Sequence, residues 1–104
     1  MVVVTVLYPK TATSLFDYDY YVTKHVPLVQ ARWAGMGLMH VELLRGTATL
    51  EGGPPAFALM GKLVFGSQAE MQEALAAHGA EIMGDIPNYT DVQPLIQMNE
   101  PLAF

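Results

Sequence analysis

Cysteine is absent from this 104-residue chain, which excludes disulfides, a thiolate nucleophile and any sulfur-based metal site. A cytoplasmic location is the expectation that follows. Fixed cations are scarce: Lys10, Lys24, Arg32, Arg45 and Lys62 are scattered along a chain of formal net charge -5. That pattern cannot neutralise a phosphate backbone, so nucleic acid is not an expected partner. Charge of either sign is low, 14% of residues against 52% hydrophobic. This is little to cover the surface of a solitary small protein, and some apolar surface is expected to meet a partner. No hydrophobic run is long enough to span a membrane, and the apolar start Val2 to Leu7 lacks the basic flank of a leader. It reads as part of the fold. The cluster Gly52-Gly53-Pro54-Pro55 has no phosphate-loop lysine, and there is no flavin, nicotinamide or haem fingerprint and no serine nucleophile motif. No cofactor is therefore expected. Any oxidation would have to draw on a partner's cofactor or on the substrate's own chemistry.

What remains is a single domain, residues 1–104, long enough for one core. Val2 to Tyr8 is a β-branched run ended by Pro9, predicted as a central strand apolar on both faces. Leu38 to Arg45 alternates, with Met39, Val41 and Leu43 on one side and His40, Glu42 and Leu44 on the other. Gly46 through Pro55 reads as a loop. Ala56 to Phe65 is predicted as a third strand, with Gly61 in its middle leaving room for a close approach. Ser67-Gln68-Ala69-Glu70 matches a capping box. The helix it opens carries the stripe Met71, Ala74, Leu75 and His78 to Gly79, with a further turn or two from Ala80 to Ile86 before Pro87-Asn88. Asp91 to Met98 reads as an edge strand interrupted by Pro94, and the tail from Asn99 to Phe104 as a segment that packs on a partner.

Polar chemistry is concentrated between Asp17 and Val29, where two carboxylates, three phenols and a histidine precede Pro27. Asp17 or Asp19 can cap a helix here. Tyr21 and His25, four residues apart, share a helix face, with Tyr18 one turn before them. Pro27 cannot donate four residues back, so two helical pieces with a break at His25-Val26 are predicted, the run ending near Gly35-Met36-Gly37. His25 would then sit near a helix C-terminus, which raises its pKa, while burial in a pocket lowers it. The direction stays open at this point.

The order strand, helix, strand, strand, helix, strand is the split βαβ arrangement of α+β, ferredoxin-like domains: a four-stranded antiparallel sheet with both helices on one face. The other face is left bare although the first and third strands carry aliphatic residues there, which predicts a homodimer. Two motifs sharpen this. Asp17-Tyr18-Asp19-Tyr20-Tyr21 followed by His25-Val26-Pro27-Leu28-Val29 resembles the signature of the EthD family, within the dimeric α+β barrel superfamily. Asp85-Ile86-Pro87-Asn88-Tyr89-Thr90 with Val92-Gln93-Pro94 resembles that family's C-terminal motif. The resemblance implies a small dimeric α+β barrel protein linked to oxidative breakdown of small organic compounds. It is either an enzyme of its own or an accessory to an oxidoreductase system such as an ether-degrading monooxygenase.

His25 is the best candidate acid/base, since its ordinary pKa lies nearest neutrality. It is expected to face a mostly apolar pocket between sheet and helices, beside Tyr21 and near the Asp85-to-Asn88 turn. Tyr8, Tyr20 and Tyr21 could offer phenols to a substrate oxygen, Tyr21 first because it shares the His25 face. Trp33 serves as a packing anchor or stacks on a ligand. Asp85 and Asn88 flank a turn, as cap residues or as ligand contacts. His25, His40 and His78 could in principle form a three-histidine metal site, but none of them has the close spacing that marks one. The ligand these residues would take is an apolar small molecule, processed by proton transfer such as isomerisation, dehydration or cyclisation. The alternative is a non-catalytic dimeric binding protein.

Overall fold

The structure, a computed structural model, describes all 104 residues. Strands β1 (Val2–Pro9), β2 (Leu38–Arg45), β3 (Phe57–Phe65) and β4 (Leu95–Asn99) form one antiparallel sheet in the order β2-β3-β1-β4. The β-branched run β1 lies in the interior, as predicted. Three helices complete the fold: α1 (Tyr18–Tyr20), α2 (Val26–Trp33) and α3 (Gln68–Asp85). The element order and antiparallel pairing are those of the ferredoxin-like α+β fold.

Side chains directly opposite in an antiparallel sheet project to the same side, so the register sorts the two faces into rows. On the helix side run Ile96, Val6, Gly61 and Leu43, and next to them Met98, Val4, Leu63 and Val41. There Val2, Val4 and Phe65 form a core with Val29 and Trp33 of α2 and Met71, Ala74 and Ile82 of α3. On the other side run Leu95, Leu7, Met60 and Leu44, a wholly apolar row, then the polar row Gln97, Thr5, Lys62 and Glu42. No helix covers that side.

Local signals are honoured with some differences. Asp17 caps α1, its carboxylate accepting from the Tyr20 amide at 3.0 Å. Ser67 caps α3 by accepting from the Glu70 amide, while the Glu70 carboxylate accepts from the Ser67 hydroxyl rather than from its amide. Gly79 does not stop α3, which runs unbroken to Asp85. The edge strand begins after Pro94 instead of being interrupted by it, because a residue without an amide hydrogen is placed more cheaply ahead of the ladder. Met39 points out to solvent, 67% exposed, because the β2–β3 register slips between Leu38 and His40.

The predicted break at His25-Val26 does not occur. Backbone stays helical from residue 18 to residue 36, and Val26 has regular φ -61 and ψ -44. The discontinuity is absorbed one step earlier, in a π turn over Tyr21–His25, where the Val26 amide donates to the Tyr21 carbonyl. Pro27 has no amide hydrogen and its ring would press on the carbonyl four residues back. A turn widened by one residue relieves that pressure without ending the helix. The widening also has a packing consequence. The buried residues of this run, Tyr21, His25, Val29 and Trp33, are spaced by four. At 3.6 residues per turn, three such steps carry a side chain roughly a third of a turn off the starting face. The extra residue in the π turn takes up that drift and keeps all four facing the sheet. Gly37, at φ +96, then ends the run.

Candidate functional site

Beneath the first helical run lies a cluster of aromatic rings. Tyr8 of β1, Tyr21 and Tyr89 are buried together with Leu59 and Ile86. Tyr8 meets Tyr21 and Tyr89 edge-on, with ring centroids 5.9 and 5.8 Å apart. Tyr21 stacks on His25 at 5.4 Å with ring planes 21° apart, the product of the π turn that holds both. Gly61 is what lets Tyr21 in: a Cβ on that residue would lie 3.3 Å from the Tyr21 hydroxyl. The close approach foreseen at this glycine is therefore made by a side chain of the same chain.

His25 is 5% exposed. Its Nδ1 lies 2.9 Å from Oδ2 of Asp85, at the end of α3, and its Nε2 lies 3.3 Å from the Tyr89 hydroxyl. Oδ1 of Asp85 accepts from the Tyr20 hydroxyl at 2.6 Å and from Nδ2 of Asn88 at 2.9 Å. Burial works to raise the Asp85 pKa, but the hydrogen bonds from Tyr20, Asn88 and His25 outweigh it and hold the carboxyl below its ordinary value. Asp85 is thus an ionised, acceptor-only partner. For His25, burial pushes the pKa below 6.5, and the hydrogen bond and charge of Asp85 oppose this without overcoming it. The helix C-terminus anticipated as an upward influence is not there, because the helix continues past His25.

These facts fix the direction of every proton in the chain. A neutral imidazole facing a carboxylate on Nδ1 carries its hydrogen there, so Nε2 is a lone pair. Tyr89 must donate to it. Tyr8, 2.6 Å from the Tyr89 hydroxyl, must in turn donate to Tyr89. Burial, the first cause for each, raises the pKa of Tyr8, Tyr21 and Tyr89 above that of an ordinary phenol, so all three remain protonated donors. Tyr20 is raised too, chiefly by its hydrogen bond to Asp85. The arrangement is a base, His25, oriented by a carboxylate and screened by phenols, able to accept a proton at Nε2 and return it.

The base borders a cavity of about 70 Å³ between the sheet and the two helices, several times the roughly 10–15 Å³ that one water needs. Its floor is Val4, Val6, Gly61 and Leu63, and its polar rim is Tyr8, Tyr21 and His25. Trp33 borders it as well, although its indole N–H is committed to the Ala74 carbonyl at 2.8 Å and its ring packs against Phe65. Asp85 and Asn88 do not reach the cavity. They stand behind His25, so the contact they make is with the base and its carboxylate rather than with a ligand. Tyr18 lies outside the site, its hydroxyl on the Ala58 carbonyl and its ring under the Arg45 guanidinium. The three histidines are not gathered: His40 lies on the outer sheet face opposite Val64, and His78 beside Glu81. No cluster of three metal-ligating side chains forms, and no helix is long and apolar enough to cross a membrane.

Tyr89 was not singled out as a site residue from sequence, and Tyr20 only as a general phenol. The signal for Tyr89 was its place four residues after Asp85 in the second motif, on the far side of Pro87-Asn88.

No protein-family model and no curated sequence matches the chain. Solved structures do. An EthD-like protein from Ralstonia eutropha is 40% identical, with a TM-score of 0.88 over 95% of this chain and 89% of that one. An ethyl tert-butyl ether D (EthD) family protein from Bacillus halodurans is 19% identical, with a TM-score of 0.69 over 98% and 99%. A DABB family protein with a ferredoxin-like fold from Mesorhizobium loti is 16% identical, with a TM-score of 0.61 over 98% and 97%. The last two show the fold alone. The first, 40% identical over nearly the whole of both chains and in line with the two sequence motifs, shows that this chain belongs to the EthD family.

Proposed function

We propose that this protein is a cofactor-independent enzyme that moves a proton on an apolar small molecule bearing a carbonyl group or an aromatic ring, with His25 as the acid/base. The observation that carries the reading is the neutral imidazole held by Asp85 at the wall of an apolar cavity, with its Nε2 lone pair toward the phenols. In the step this supports, the Tyr89 hydroxyl turns off Nε2, and Nε2 takes a proton from carbon next to a carbonyl while the Tyr21 hydroxyl donates a hydrogen bond to the carbonyl oxygen. The C–H pair becomes the carbon–carbon double bond of an enolate as the carbonyl π pair moves onto the oxygen held by Tyr21, and the imidazolium, balanced by Asp85, returns the proton to a different atom. Isomerisation, dehydration and cyclisation all begin this way. Tyr8, Tyr21 and Trp33 line the substrate's space, whereas Asp85 positions the base and Asn88 holds Asp85. A place in the oxidative breakdown of organic compounds is supported by membership of the EthD family, which the 40% identical Ralstonia eutropha relative carries.

The active form in this reading is a homodimer. Its support is the uncovered sheet face, where the row Leu95, Leu7, Met60 and Leu44 would pack against a second copy.

A second reading, a binding protein serving an oxidoreductase, is favoured by one observation: the site's imidazole, carboxylate and Tyr8, Tyr20 and Tyr89 hydroxyls already satisfy one another. A thermal-shift screen of small carbonyl and aromatic compounds followed by product analysis separates the two. The enzyme reading expects new product from a bound compound, and His25→Gln protein that still binds it without turning it over. Binding with no product from any hit, together with undiminished support of a partner by His25→Gln, would leave the accessory reading.

A further inference from the structure

Gly79 lies inside α3, eleven residues after its first residue and six before its last, where glycine is a poor helix former compared with alanine. Nothing in the packing demands it. A Cβ there would meet only Leu75, at 3.8 and 3.9 Å, which is ordinary contact, and its φ is not in the left-handed region. What Gly79 does border is the cavity, beside Leu75, Met83 and Ile96. Met83 and Ile96 are 43% and 42% exposed, so the cavity meets solvent between α3 and the edge strand β4.

The two ends of the cavity differ in chemistry. Tyr8, Tyr21 and His25 supply its polar atoms at the end over Gly61, and the end at Gly79, Met83 and Ile96 offers none. Two rulers give the separation. Ile96 and Gly61 flank Val6 in one row of the sheet, two strand spacings apart, or roughly 10 Å. Gly79 precedes Asp85, the residue that holds His25, by six helical positions, or roughly 9 Å along the axis.

From this we infer that the ligand binds end-on. A hydrogen-bond-accepting oxygen sits at the Tyr21 hydroxyl, beside His25, an apolar chain or ring runs toward Met83 and Ile96, and Gly79 is the residue that sets how long that apolar end can be. The inference rests on the cavity being the ligand site, as proposed above, and adds the ligand's class, its orientation and a size-determining residue. An internal comparison is available in Gly84 of the same helix. A Cβ there would meet nothing within 4 Å, and Gly84 does not border the cavity.

The test is a set of 2-alkanones from 2-butanone to 2-nonanone, titrated into isotopically labelled protein and followed by amide NMR. With wild-type protein, affinity should rise about fourfold per methylene, with shifts moving outward from Tyr21 toward Ile96 as the chain lengthens. Gly79→Ala and Gly84→Ala should each raise the melting temperature by roughly 4 °C, which shows that both variants fold. Gly79→Ala should weaken the long ketones at least tenfold and leave the short ones unchanged, and Gly84→Ala should leave the whole series unchanged. If Gly79→Ala and Gly84→Ala bind every ketone as wild type does, the length-setting role is wrong while the cavity stands. If no ketone of any length binds wild-type protein, the cavity reading falls and this inference with it.

Discussion

Nδ1 of His25 and Oδ2 of Asp85, sixty positions apart in the chain, lie 2.9 Å apart at the wall of the cavity. Burial holds the histidine below its ordinary pKa of 6.5 even with a carboxylate at that distance, so the pair is a neutral ring bonded to an anion rather than an ion pair at neutral pH. Stability should follow from this with a definite sign. The unfolded chain binds a proton at this residue more readily than the folded one, so the stabilisation is complete above pH 6.5 and is lost as pH falls through the depressed folded value. Asp85, also depressed, adds a second loss as pH falls below its ordinary 3.8. Replacing Asp85 by asparagine removes the influence that raises His25, and the His25 titration should move further to the acid side. NMR titration of the His25 ring against free histidine checks this; a His25 midpoint above 6.5 would contradict it.

Tyr89 donates to His25 and receives from Tyr8. Tyr89→Phe removes one hydroxyl and leaves two buried groups without partners, at a cost of about 1–3 kcal/mol. Chemical denaturation should show the loss, and the 15N shift of His25 Nε2 should move as its donor disappears. A variant as stable as wild type with an unmoved Nε2 would show that the 3.3 Å contact carries no hydrogen bond.

Pro27 positions His25 from two residues away. Pro27→Ala restores an amide donor and removes the ring that disfavours an ordinary α turn, a change in helix propensity of up to about 3 kcal/mol. Relaxation of Tyr21–His25 to α geometry would rotate the site against Val29 and Trp33, so the His25 Nδ1–H signal characteristic of the bond to Asp85 should weaken or vanish. If that signal persists unchanged, packing rather than Pro27 maintains the π turn.

The uncovered sheet face should make the protein dimeric. Sedimentation at micromolar concentration is expected to give about twice the chain mass of 11.4 kDa. Met60, 37% exposed in the single chain, lies in the apolar row, and Met60→Glu should yield single chains because a charge would be buried without a partner. A stable wild-type monomer would remove the dimer from the account.

Much of the fold was legible because the signals were local. The run Val2 to Tyr8, the capping box at Ser67 and the glycine stop at Gly37 each act within a few residues, and the four-residue spacing placed Tyr21 and His25 on one face. The π turn was not legible, since Pro27 allows either a break or a widened turn, and only the packing of Trp33 and Val29 chooses between them. The second motif places the Asp85-to-Asn88 turn near His25, as the structure has it, but does not single out the Asp85 carboxylate as the group that holds the ring. That contact depends on α3 continuing through Gly79 and on where its end falls over the sheet, a tertiary result that no window of sequence contains. Tyr89 depends on the same placement.

The most direct test is proton exchange itself. The protein is incubated in D2O with bound 2-hexanone, and deuterium entering the carbon next to the carbonyl is followed by NMR, with His25→Gln as the comparison at equal ligand occupancy. The account predicts incorporation well above the buffer rate for wild-type protein, falling away as pH drops through the His25 titration, and reduced to the buffer rate by His25→Gln. Incorporation by His25→Gln equal to that of wild type, or none by wild-type protein with the ketone bound, would contradict it.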